Sequence, residues 1–123
     1  MRFILPVLGL TLIGGCHVCA PAGDYTWTIQ APAAVAHAPH SKVRFTVETK
    51  TLDGQPAAGV PYIWVIDWVG IRGVQHNGES FREESILVKG GPGTAQLYAL
   101  ACAPNGHLVE VARVRLEVNW PQP

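Results

Sequence analysis

Cys102 and His107 have the clearest capacity for chemistry in this chain. A thiol and an imidazole separated by four residues at the end of a predicted strand are both good ligands for a transition metal. His76 offers a third ligand upstream. Two histidines and one cysteine in a trigonal array, usually with a weak axial methionine, form a blue-copper site. His76, Cys102 and His107 therefore predict, as one alternative, a copper or redox protein.

The spacing of these residues is similar to that of cupredoxins, which place a copper-binding Cys and His before the last strand of a β-sandwich. Three features oppose this interpretation. The only methionine is Met1, the axial position is taken by aliphatic residues around Val111, and His76 lies close before Cys102 for the strands that normally intervene. The simpler interpretation is a core or disulfide cysteine beside a solvated turn histidine, and no cofactor is expected.

The carboxylates form no recognisable catalytic set. Asp67 interrupts an apolar strand, and because a buried carboxylate is costly unless paired, it should face water or meet Arg44, Arg72 or Arg113. A charged, exposed hairpin is expected around Glu79, Glu83 and Glu84. The sequence contains no nucleophile motif, phosphate-binding glycine loop or paired CxxC. We therefore expect a protein that is not an enzyme.

The remaining histidines and the tryptophans have structural interpretations. Solvation is expected for His37 and His40, because structural zinc requires four ligands. Trp64 and Trp68 share one face of a predicted strand and are expected in the core. Trp27 and Trp120 lie near the ends of the predicted domain, where they could form a recognition surface or, as we expect, plug the sandwich.

An uncharged apolar run covers residues 3–13, after the cationic Arg2. It is shorter than the roughly 20 apolar residues that a membrane-spanning helix needs. Such a run predicts a secretory signal.

The run ends in Leu12-Ile13-Gly14-Gly15-Cys16, which resembles the lipobox of bacterial lipoprotein precursors. The resemblance implies removal of residues 1–15, acylation of Cys16 and attachment to a membrane through acyl chains such as palmitate. Because His17 stands where an aspartate would favour inner-membrane retention, it implies the outer membrane where the organism has one. The alternative is cleavage after Ala22, which would give a secreted or periplasmic protein without Cys16 and Cys19.

If Cys16 is acylated, two cysteines remain. Cys19 and Cys102 in an oxidising compartment suggest a disulfide that ties the predicted tether, residues 16–24, to the domain, residues 25–120. The alternative is a small buried Cys102 and a free Cys19. The sequence leaves both open.

The mature chain reads as an all-β protein. Val43, Phe45 and Val47 alternate with polar residues, as in a half-buried strand. A run apolar on both faces, residues 62–69, predicts a central strand. Further strands are predicted at residues 25–30, 85–88, 95–102 and 108–118, and residues 31–39 read as an extended edge or connection because of their prolines. About seven short strands predict an antiparallel sandwich.

Turn and bulge signals separate the strands. Asp53-Gly54, Asn77-Gly78 and Asn105-Gly106 are typical of type I′ turns, and the last lies between two clear strands. In the final strand the apolar residues change parity, which predicts a β-bulge near Val111-Ala112.

The segment VRFTVETKTLDGQPAAGVPYIW, residues 43–64, resembles the strand–turn–strand of bacterial immunoglobulin-like domains of the invasin type. The Gly93-Thr94-Ala95 segment and the final strand are similar to later parts of these domains. The resemblance covers roughly residues 40–118 and implies an immunoglobulin-like sandwich. It departs from the antibody branch, since Phe45 stands in place of the first cysteine and Leu100 in place of a tyrosine.

The net charge of the chain limits the kinds of partner that it is expected to bind. Without Arg2, the basic and acidic residues nearly balance, so electrostatics give no reason to expect nucleic-acid binding. We expect a lipid-anchored protein of the bacterial cell envelope that acts by binding or spacing. Its expected partners are the membrane, through the N-terminal lipid, and an envelope protein or the cell wall.

Overall fold

The computed structural model describes residues 19–120, and both the predicted signal of residues 1–15 and Cys16 lie outside them. A 3₁₀ helix, Ala22–Asp24, is followed by eight strands. These are β1 (Tyr25–Gln30), β2 (Ala34–Ala36), β3 (Lys42–Thr51), β4 (Pro61–Val69), β5 (His76–Glu79), β6 (Glu84–Leu87), β7 (Gly91–Cys102) and β8 (Leu108–Asn119). The predicted all-β class is confirmed. Within the described residues, no helix has the length and apolar character to span a bilayer.

The strands form two sheets. One has the order β1-β3-β6 and the other β2-β8-β7-β4-β5. Immunoglobulin-type sandwiches place strands A, B and E in one sheet and strands C, F and G in the other. The same grouping is found here, with β1, β3 and β6 in one sheet and β4, β7 and β8 in the other. One pairing differs from the antiparallel prediction, because β2 runs parallel to β8. This short strand lies within residues 31–39, whose prolines confine it to a sheet edge, as expected.

The core lies between the sheets and follows from strand periodicity. Alternate residues of β3 are buried, including Val43, Phe45 and Val47, while β4 is buried on both faces over residues 62–66. One face of β4, including Trp64, packs in the core between the sheets, and Ile63 on the other face packs against Cys19 and Cys102, which explains the apolar run on both faces. The Phe45 ring meets the Trp64 ring edge-to-face at 4.9 Å, joining the two sheets. An aromatic contact thus occurs at the position where the antibody branch has its first cysteine.

The predicted β-bulge is confirmed at Val111. Ala99 pairs with Ala112, but the next residue, Leu100, pairs with Glu110, so Val111 is skipped. The extra residue moves the apolar positions of β8 from one parity to the other. Leu116 and Val118 consequently face the core, whereas Val109 is exposed.

The hairpin at Asn105-Gly106 is confirmed, but its turn is not type I′. Only Gly106 has a positive φ, 86°, and its amide donates to the Ala103 carbonyl oxygen at 2.9 Å. The Ala103 amide donates to the carbonyl of His107 at 2.8 Å. This is a type I turn followed by a glycine bulge, and Pro104 favours it because its fixed φ suits the first central position.

The turn predicted at Asn77-Gly78 is wrong. Both residues lie inside β5, where Gly78 pairs with Tyr62. A Cβ on Gly78 would lie 2.6 Å from Cζ of Tyr62. This glycine is therefore needed for close packing against an aromatic ring in the adjacent strand.

Candidate functional site

A disulfide joins Cys19 to Cys102, with the two Cα atoms 5.8 Å apart and 83 residues apart in sequence. The Ala20 amide donates to the Pro61 carbonyl at 2.8 Å, and the Cys102 amide donates to the Ala20 carbonyl at 2.9 Å. Ala20 thus bridges the start of β4 and the end of β7. Both cysteines are buried and pack with Ile63. The first described residues are therefore fixed to the sandwich.

This pole of the molecule, formed by the start of β4, the end of β7 and the start of β8, is called the disulfide end. A groove of about 420 Å³ opens there, lined by Cys19, Pro21, Gly23, Asp24, Cys102, Ala103 and Pro104. Asp24 is the one charged residue of that lining. Leu108 and Val109 begin β8 at the same end, and each is 40% exposed. The groove thus has one charged lining residue and two exposed aliphatic side chains at the same end of the molecule.

The structure does not bring the predicted copper ligands together. The Cys102 sulfur is bonded to Cys19, so it is not a free thiolate. The His76 ring is stacked on Trp64 at 4.2 Å, while His107 lies in the exposed β7–β8 turn. Within residues 19–120, no group of three or more His, Cys, Asp or Glu side chains could hold a metal ion. The interpretation of Cys102 as a disulfide cysteine beside a solvated turn histidine fits these contacts.

Asp67 has partners other than the expected arginines. One carboxylate oxygen accepts a hydrogen bond from the Gly73 amide at 3.0 Å, and the other accepts one from the Tyr98 hydroxyl at 3.1 Å. Burial, and then the bond to Asp67, raise the pKa of Tyr98. Arg113 instead lies over the Tyr98 ring, 4.8 Å from its centre. Asp67 thus holds the chain after β4 in place.

The acidic cluster is a surface ion-pair network. Arg82 lies 3.5 Å from Glu79 and donates to Glu84 at 2.8 Å. These contacts raise the pKa of Arg82, mainly through the bond to Glu84. The segment is not the expected hairpin, because β5 and β6 belong to different sheets. The arginine between the carboxylates makes this a charged face rather than an acid–base pair.

The terminal aromatics differ from each other. The Trp27 indole donates to the Ala22 carbonyl at 3.0 Å and packs against Tyr62, so it plugs the disulfide end as expected. Trp120 does not plug the opposite end, since it is 66% exposed. Its ring contacts that of His37, with the ring centres 5.2 Å apart, and the His37 Nε2 also lies 2.8 Å from the Gly90 carbonyl oxygen. His37 is thus partly packed rather than simply solvated.

A second groove was not predicted from the sequence. It lies at the far end, the pole opposite the disulfide end, between β6 and the chain that follows β4, and its volume is about 150 Å³. Its apolar lining includes Ile66, Trp68, Ile71, Val74 and Ile86, and its polar lining is Arg72, His76 and Lys89. The sequence signal for this far groove was Ile71-Arg72-Gly73-Val74, where exposed aliphatic and cationic residues follow a central strand.

The far groove has an unbalanced positive charge. None of the salt bridges within residues 19–120 involves Arg72 or Lys89, and no carboxylate lines the groove. Ile71 and Val74 beside it are exposed. This combination suits a ligand that presents an aliphatic group next to an anion.

Comparison with known protein families, curated proteins and solved structures finds no significant match.

Proposed function

We propose that this protein is a non-catalytic lipoprotein of the bacterial cell envelope, acylated at Cys16, whose sandwich binds a partner. The observation that carries the proposal is the attachment of Cys19 to the sandwich, only three residues after the predicted acylation site. Cleavage after Ala22 would remove Cys19 from the chain and leave Cys102 without its disulfide partner. Cleavage before Cys16 keeps the whole docked segment, which supports the lipobox interpretation.

The binding surface in this proposal is the far groove. Its occupant is an extended segment of another envelope protein that places an aliphatic side chain beside a carboxylate. Arg72 and Lys89 would attract the carboxylate, and the apolar lining would take the aliphatic group. Among the described residues, neither cation takes part in a salt bridge, which supports this choice because no acid there would compete with a bound carboxylate.

The anchor is tested by the intact mass of the protein purified from bacterial membranes. We expect a chain that starts at Cys16 and carries the mass of acyl chains, while a Cys16→Ser variant should remain unacylated and leave the membrane fraction. A mature chain that starts at Gly23 would contradict the proposal.

The binding surface is tested by photo-crosslinking in intact membranes from a probe placed at Val74. We expect one reproducible protein adduct that is weakened by Arg72→Glu or Lys89→Glu and unchanged by Arg115→Glu, an exposed position on β8. The absence of any reproducible adduct would contradict binding and favour a spacer. An adduct insensitive to all three substitutions would place recognition outside the far groove.

A further inference from the structure

We infer that the disulfide end lies directly against the lipid surface, so that the sandwich stands upright with the far groove facing away from the membrane. This inference rests on the acylation of Cys16 proposed above. Cys16 and Cys19 are three residues apart, and fully extended chain spans at most about 3.6 Å per residue. The docked cysteine is therefore held within about 11 Å of the lipid-bearing residue.

The tether cannot lengthen by releasing more chain. Cys19 is held covalently, and Ala20 is hydrogen-bonded to both Pro61 and Cys102. An acylated domain with a free N-terminal segment would sample many orientations, because each released residue adds reach. Here the covalent bond fixes which part of the protein is nearest the bilayer.

The chemistry of the disulfide end suits the membrane interface. Pro21, Pro104, Leu108 and Val109 are exposed there, and Asp24 is the single charge in the groove lining. Apolar side chains of this kind are stabilised at the boundary between headgroups and acyl chains. The groove lining contains no lysine or arginine, so the groove itself offers no cationic site for an anionic headgroup.

In this orientation the far end of the sandwich points away from the membrane. β7 has 12 residues, which corresponds to about 40 Å at 3.3–3.4 Å per residue. It begins at the far end and ends at Cys102, so the start of β7 and Trp120 lie roughly that distance from the lipid. The far groove extends from that end to about the middle of β7, since its lining residue Ile66 pairs with Leu97.

The test uses the acylated full-length mature protein, labelled with nitrogen-15, in phosphatidylcholine nanodiscs that contain a few lipids with a gadolinium-chelating headgroup. We expect relaxation of the amides in residues 103–109 to be enhanced severalfold more than that of the amides in residues 70–75. A matched control inserts 20 Gly and Ser residues between Val18 and Cys19. This insertion should abolish the difference between the two ends while leaving the chemical shifts of the sandwich unchanged.

The outcomes separate the two proposals. Acyl mass on Cys16 with equal enhancement at both ends would overturn the orientation and leave the anchor intact. A protein without acyl mass would overturn the anchor and the orientation together. A persistent difference in the inserted variant would show that the apolar surface itself, and not the short tether, sets the orientation.

Discussion

Gly78 shows how one side chain determines the residue opposite it. The buried Tyr62 ring fills the space where a Cβ of residue 78 would lie, at 2.6 Å from Cζ and 2.8 Å from the hydroxyl oxygen. The paired residues belong to adjacent strands, so neither can move without disturbing the β4–β5 ladder. The glycine is required by space and not by turn geometry.

A Gly78→Ala variant should therefore lose stability. Overpacking of this kind typically costs about 1–3 kcal/mol, measured as the free energy of unfolding in denaturant. Gly23→Ala is the matched control, because nothing lies within 4 Å of a Cβ at that position. Equal stability of the two variants would show that the Tyr62 ring moves aside at no cost.

The hydroxyl of Tyr62 is buried and has no hydrogen-bond partner within residues 19–120. Removing an unpaired buried polar group is close to neutral or stabilising, so Tyr62→Phe should change the unfolding free energy at pH 7 by less than about 1 kcal/mol. A loss well above that value would reveal a partner such as a buried water.

The same substitution should change the response to alkaline pH. Burial, and then Glu84, raise the pKa of Tyr62 above its ordinary value of about 10. The unfolded chain therefore ionises first, and the stability present below pH 10 is lost as the pH rises further, by up to about 1.4 kcal/mol per pH unit. In Tyr62→Phe this decline in the free energy of unfolding should be smaller. Denaturant titrations between about pH 9 and about pH 11, on either side of the ordinary tyrosine pKa, measure it.

At the scale of elements, the docked segment before β1 depends on the disulfide. The bond closes a loop of 83 residues, and removing a bridge of this size typically costs about 2–5 kcal/mol. We expect Cys19→Ser and Cys102→Ser each to lower the unfolding free energy by that amount, measured in denaturant without reductant. A Cys19→Ser variant as stable as the parent would show that the hydrogen bonds of Ala20 hold the segment alone.

The chain between β4 and β5 depends on Asp67. Asp67→Ala leaves the Gly73 amide and the Tyr98 hydroxyl without their shared acceptor, which should cost about 1–3 kcal/mol. Hydrogen exchange at the Gly73 amide should accelerate. Tyr98→Phe is the control, because it removes one of the two bonds and should leave the exchange of Gly73 unchanged.

Much of the element plan could be predicted from local sequence. Strand β1 has its predicted bounds, the buried central strand is present, and the parity change in β8 located the bulge at Val111. The misassigned Asn77-Gly78 and the parallel pairing of β2 depend on residues distant in sequence, which periodicity does not report. The far groove was missed for the same reason, since its walls come from strands of both sheets. The pairing of Cys19 with Cys102 was one of two open alternatives until their Cα separation was known.

At the scale of the whole molecule, the protection of backbone amides against hydrogen exchange should differ between strands. β7 is flanked by β4 and β8 along most of its length, whereas β2 and β5 are short edge strands. Hydrogen exchange should consequently be slowest for amides in β4, β7 and β8 and fastest for those in β2 and β5. Protection of β5 equal to that of β7 would indicate that a partner or a second copy covers this edge.

The Cys19–Cys102 bond also determines how the domain bears mechanical load. A pull on the chain before Cys19 does not peel β1 from β3, because the covalent bond passes the force directly to the end of β7. β7 is an interior strand with long ladders to β4 and β8, so the load is shared by the strongest part of the five-stranded sheet. The N-terminal strand is bypassed, and the sandwich can resist tension through its attachment point without first unravelling from its edge.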